Sequence, residues 1–180
     1  TAGGSADLRA FTANTFDSLY AAGGATFTGL PATAATLTTL ATGALSIDRA
    51  TDGATDVATI NLLPAVPGTF ASLNVSDEET VTLSSSGLTA GSNTITTLTG
   101  TDLTSLTITG NRDLTVTNAI TGTKLATLNA AGLVGQGVAL SVDGSNSLVA
   151  MTVTGGAGSE AALGDTMNTI VTGSGADTVT

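Results

Sequence analysis

Polar and apolar residues alternate over most of this chain, in short runs. Leu106-Thr107-Ile108-Thr109, Leu114-Thr115-Val116-Thr117, Val81-Thr82-Leu83 and Met151-Thr152-Val153-Thr154 all repeat with period two. That period puts every second side chain on one face of an extended strand, and the β-branched Thr, Ile and Val favour strands. Gly, Asn and Asp punctuate the runs, so the pattern predicts an all-β chain of short strands and tight turns.

A longer repeat overlies the short one. Phe70–Val75, Leu103–Ile108, Leu125–Ala130 and Leu148–Val153 align on one pattern of apolar positions. Leu106 to Leu128 is 22 residues and Leu128 to Met151 is 23, whereas Leu73 to Leu106 is 33, as if one coil held an insertion near residues 84–93. A second short strand follows each unit, at Val81/Leu83, Leu114/Val116 and Leu140/Val142. Two strands per coil of about 22 residues predict a parallel β-helix or β-roll solenoid. A β-sandwich is the alternative that fits the same strand and turn spacing. A leucine-rich repeat fits Leu103–Asn111 only, because Asn111 has no counterpart in the other units.

In the solenoid, Leu, Ile and Val point inward and stack on the next coil, while Thr points outward in ladders. Residues 46–154 carry this pattern. Residues 1–45 differ and are expected to be an N-terminal cap or connecting segment. There, Leu8, Phe11, Phe16 and Leu19 are spaced so that a short helix within Asp7–Tyr20 would gather them near one face. Residues 155–180 change again, to Gly-rich turns.

Composition narrows the chemistry. The 180 residues include no Cys, His or Trp, so imidazole bases, thiol nucleophiles and the usual zinc sites are excluded. Fourteen acids face four cations, for a formal net charge of -10, which leaves hard cations such as calcium as the metal class. Arg9, Arg49, Arg112 and Lys124 are scattered singly, unlike the basic clusters of nucleic-acid binders. No apolar run approaches the roughly 20 residues of a membrane span. A chain that opens at Thr1 and stops in the strand-like Asp177–Thr180 reads as a piece of something longer.

Gly155–Glu160 and Thr172–Thr180 match, in whole or part, the nonapeptide GGxGxDxUx, where U is a large apolar residue. Its glycines permit a tight turn whose carbonyls face inward, and its acid completes an oxygen cage for calcium. The candidate metal residues are Gly156, Gly158, Glu160, Asp165, Gly173, Gly175 and Asp177. Glu160 and Asp177 lie 17 positions apart, close to one coil of two nine-residue turns. Gly3–Leu8 is a weaker echo. Two further acidic groups, Asp77-Glu78-Glu79 and Asp48/Asp52/Asp56, invite comparison with paired carboxylates of glycosidases. Aromatic sugar platforms are scarce, so these acids are expected in solvated loops.

Pro67–Val75, the Leu106–Asn111 unit and the closing Asn168–Asp177 together resemble the RTX-type surface-layer proteins of Gram-negative bacteria, over residues 65–180. The resemblance implies a secreted, non-enzymatic structural protein exported by a type I system. It further implies calcium-dependent folding outside the cell, self-association into a cell-surface lattice, and attachment to surface polysaccharide through other parts of the parent protein. RTX adhesins share this grammar, so a stalk or ligand-binding domain of an adhesin is the alternative. A polysaccharide-active β-helix enzyme ranks third.

Overall fold

A computed structural model describes residues 4–9, 19–31, 35–136, 140–154, 158–159, 169–171 and 178–179. The alternating runs are strands, and no helix occurs among the described residues. Through β12 (Thr127–Leu133), odd and even strands sort into two parallel sheets as the chain winds. One sheet holds β1 (Gly4–Asp7), β3 (Ala25–Leu30), β5 (Ala44–Arg49), β7 (Thr69–Asn74), β9 (Ser92–Thr99), β11 (Asp113–Val116), β14 (Leu140–Asp143) and β17 (Thr169–Val171). The other holds β2 (Leu19–Ala21), β4 (Ala35–Thr39), β6 (Val57–Leu62), β8 (Thr80–Ser85), β10 (Ser105–Gly110), β12 (Thr127–Leu133), β15 (Thr152–Thr154) and β18 (Thr178–Val179). A minor sheet pairs β13 (Gly135–Gln136) with β16 (Gly158–Ser159). This is the expected β-solenoid, of about six turns spaced by about 23 residues.

Parallel sheets are usually covered on both faces and read as unbroken apolar runs. Here each sheet has only one covered face, which is why the strands alternate. In β8, Val81, Leu83 and Ser85 are buried and Thr80, Thr82 and Ser84 are partly exposed. Inward residues stack coil on coil: Leu37, Ile60, Leu83 and Ile108 form one column, and Ala58, Val81, Leu106, Leu128 and Val153 another. All nine are at most 1% exposed. Burying a large aliphatic side chain contributes about 1.5–3 kcal/mol, so these columns dominate the stability.

The phase of the repeat differs from the expectation. Leu73 does not align with Leu106, because β7 belongs to the other sheet and pairs Leu73 with Leu98. The partner of Leu106 in the preceding coil is Val81, which had been assigned to the second strand of a unit. No insertion is therefore needed near residues 84–93, where β8 ends and β9 begins. Leu128 likewise pairs with Val153 and not Met151. Both sheets share the same Leu/Thr alternation, so a single-pattern alignment slides between them.

The N-terminal strands β1 to β5 join the same two sheets, and the boundary drawn at residue 45 falls inside β5. Of the segment expected to contain a helix, Asp7 ends β1 and Tyr20 lies in β2. Phe11 and Phe16 lie outside the described residues. At the β10–β11 corner, Gly110 has φ +120°, and a Cβ there would lie 2.0 Å from the Ser85 carbonyl oxygen of the coil below. Only glycine turns the chain there at this coil spacing.

Candidate functional site

The predicted calcium turns fall almost wholly outside the described residues: Gly156, Glu160, Asp165, Gly173, Gly175 and Asp177 do. Gly158 is described, in β16, paired with Gly135. In the N-terminal echo, Asp7 lies in β1 and binds the Arg9 side chain. That hydrogen bond holds the Asp7 carboxyl down at about 2. Among the described residues, no group of three or more acids is arranged to hold a metal ion.

Of the remaining acids, Asp48 and Asp52 are exposed as expected for these loops, whereas Asp56 and Glu78 are buried. Coil stacking lays the end of β5 against the Asp77–Glu79 loop of the next coil. Arg49 donates from Nε to Glu78 Oε1 at 2.7 Å and from Nη2 to Glu78 Oε2 at 2.6 Å, with both side chains 0% exposed. Its remaining donors reach the Pro31 carbonyl at 2.7 Å and the Val57 carbonyl at 2.8 Å, and its backbone N–H reaches Asp77 Oδ2 at 2.8 Å. The neighbouring Asp56 is also buried. Its carboxylate accepts from the Gly53 N–H at 2.8 Å, and its own N–H donates to Glu79 Oε2 at 2.6 Å. A bidentate arginine–carboxylate pair with its other donors satisfied ties several coils together at one corner.

Burial pushes the Glu78 carboxyl above its usual range despite the opposing pull of Arg49. Asp48 is also raised, first by desolvation and then by its hydrogen bond to Asp77 and that residue's charge. Asp56, Asp77, Glu78 and Glu79 thus hold the corner together, while Asp48 and Asp52 stay exposed. Parity was the missed signal: Leu45, Ile47 and Arg49 share one face of β5, so Arg49 had to point inward.

Arg112 obeys the same parity with Leu114 and Val116 and is 2% exposed. Its Nε donates to the Thr89 carbonyl at 3.1 Å, Nη1 to the Pro64 carbonyl at 3.1 Å and to Asn93 Oδ1 at 3.3 Å, and Nη2 to Thr89 Oγ1 at 3.1 Å. It pins two overhanging loops, 63–68 and 86–91, whose exposed apolar members include Val66 and Leu88. No buried side-chain polar atom among the described residues lacks a partner, as a settled polar interior requires.

Outside the core, the same register that stacks leucines also stacks hydroxyls. Thr36, Thr59, Thr82 and Thr107 form one outward column on the even-numbered sheet. Thr80, Ser105, Thr127 and Thr152 form a second, and Thr38, Asn61, Ser84 and Thr109 align as a third, in which Thr38 is buried and accepts from Asn61 Nδ2 at 3.3 Å. On the odd-numbered sheet, Thr69, Thr94, Thr115 and Ser141 do the same.

No known protein family, curated protein or solved structure matches this chain. What it can do chemically is therefore argued from its own residues. Among the described residues no helix is long and apolar enough to cross a membrane. The arrangement offers two periodic hydroxyl-bearing faces, one corner locked by buried charges, and an acidic balance of -10.

Proposed function

We propose that this chain is a non-enzymatic structural segment of a secreted bacterial surface-layer protein, which assembles into a cell-surface lattice when calcium binds. The observation that carries the reading is periodicity. Neighbouring coils present Thr or Ser at many of the same outward positions, so the surface repeats broadly as the strands do, and a repeating surface suits contacts that must be made many times over. The acid excess and the Gly/Asp turns of residues 155–180 support the calcium dependence, and their likeness to RTX turns supports export by a type I system.

Two measurements test this. A ligand at 100 times its dissociation constant stabilises a fold by about 2.7 kcal/mol, so millimolar calcium is expected to raise the melting temperature and a chelator to reverse the rise. Electron microscopy is expected to show ordered two-dimensional sheets with calcium and dispersed particles without it. Particles that stay dispersed, with one melting temperature in both buffers, defeat the proposal. Retention on a glycan surface without assembly points instead to an adhesin stalk.

A further inference from the structure

The two outward faces differ in a way that composition does not show. Polar groups bond one another on both sheets: on the odd-numbered sheet Asn74 Nδ2 donates to Ser46 Oγ at 3.2 Å and the Ser92 and Thr115 hydroxyls are 3.2 Å apart, and on the even-numbered sheet Asn61 Nδ2 donates to Thr38 Oγ1 at 3.3 Å. The odd-numbered sheet also includes Asp7, Asp48, Asp113 and Asp143. On the even-numbered sheet, β4, β6, β8, β10 and β12 contain no charged residue. The hydroxyls of Thr36, Thr59, Thr82 and Thr107 are partly exposed. Among the described residues they make no hydrogen bond to protein.

Register makes these free hydroxyls a lattice. From β4 to β10 the pairing runs without a shift. Neighbouring strands lie about 4.8 Å apart, and alternate residues along a strand about 6.6 Å apart. The result is a rectangular net of outward positions whose middle column is four Thr, each pairing a hydroxyl with a γ-methyl, flanked by Thr80, Ser105, Ser84 and Thr109 but also by Val57 and Asn61. Its shorter side lies close to the oxygen repeat along the a-axis of hexagonal ice. A flexible ligand gains nothing from such a net, whereas a crystalline one meets every position at once. The face also covers only a few hundred Å² at these spacings, well below the roughly 800 Å² per partner of a stable protein interface. β4, β6, β8 and β10 carry no aromatic ring on which a sugar could stack, and the exposed Tyr20 lies at the β2 edge of the sheet beside Thr38.

We propose that the uncharged hydroxyl face of β4, β6, β8 and β10 binds ice. The hydroxyls take up oxygen positions of the ice surface, and the methyls lie between them, holding the adjoining water in the crystal's order. No charge disturbs the fit, and none of the middle-column hydroxyls must first break an internal hydrogen bond. The opposite, charge-bearing face is left free for contacts within a coat, and ice affinity does not rest on such a coat forming.

The test uses the purified chain at a single ice crystal in a nanolitre osmometer, together with partition of labelled protein into growing ice. Faceted crystals, thermal hysteresis and enrichment in ice are expected. Thr82→Tyr, at the centre of the net, is expected to lower the hysteresis at least about tenfold, since central contacts dominate binding at a surface. Thr94→Tyr, on the opposite sheet, is expected to leave it unchanged. Circular dichroism checks that both variants fold, and Thr59→Lys, whose longer side chain reaches into solvent, substitutes if Thr82→Tyr does not. Ice enrichment no greater than that of serum albumin overturns the proposal, as does equal loss in the Thr82 and Thr94 variants.

Discussion

Replacing Glu78 by Gln tests the buried corner with almost no change of shape. The carboxylate accepts from both Nε and Nη2 of Arg49, and both side chains are sealed from water. Gln keeps the volume, so no cavity opens, but one of its two terminal groups becomes an amide donor facing a guanidinium donor. Removing one partner of a buried pair costs about 3–5 kcal/mol, because the other charge stays behind. The Pro31 and Val57 carbonyls still accept from Arg49, which places the expected loss near the lower end, about 3 kcal/mol. At about 2–4 °C per kcal/mol for a domain of this size, the melting temperature falls by roughly 6–12 °C. Urea titration and thermal melting of wild type and Glu78→Gln measure it. An Arg49→Met/Glu78→Leu double variant separates lost charge pairing from lost packing, since replacing both charges by apolar groups is often near neutral. A loss below about 1 kcal/mol for Glu78→Gln, or a double variant less stable than the single one, refutes the argument that this corner is held by paired burial.

Three further outcomes follow from the same geometry. Leu83→Ala, in the middle of a fully buried column, is expected to cost about 2–5 kcal/mol by urea titration, whereas Thr82→Ala beside it costs little because its side chain faces outward. Gly110→Ala adds a Cβ 2.0 Å from the Ser85 carbonyl oxygen at φ +120°; the coil must open to accept it, and chemical denaturation is expected at clearly lower urea. Stability also depends on pH. Asp48 is held above its usual range by desolvation and by Asp77, so the folded chain binds a proton there more readily than the unfolded one. Its contribution falls as pH rises from the usual carboxylate value through the folded value. Mild acidification from neutral pH is therefore expected to raise the urea midpoint, aided by the lessening of self-repulsion in a chain of net charge -10. Asp7 acts oppositely, losing its contribution as pH falls from 3.8 toward about 2. Asp48→Asn is expected to flatten the rise, and an unchanged curve would count against the Asp48–Asp77 contact as its source.

Period-two alternation and the near-constant spacing of Leu106 and Leu128 were enough to define strands, an all-β chain and a solenoid, because both are local consequences of the backbone's geometry and of stacking like on like. Parity along β5 and before β11 was equally readable, and it already turned Arg49 and Arg112 inward. The partners of those arginines were not readable, because Glu78 and Pro64 are 29 and 48 positions away and meet them only when coils stack. Coil phase was hidden for a related reason: both sheets use the same Leu/Thr alternation, so Leu73 and Val81 compete for alignment with Leu106 until hydrogen bonding selects Val81. The difference between the two Thr-bearing faces also belongs to the fold. Both faces are rich in Thr and Ser, and only the register of neighbouring coils lines up Thr36, Thr59, Thr82 and Thr107 in one column.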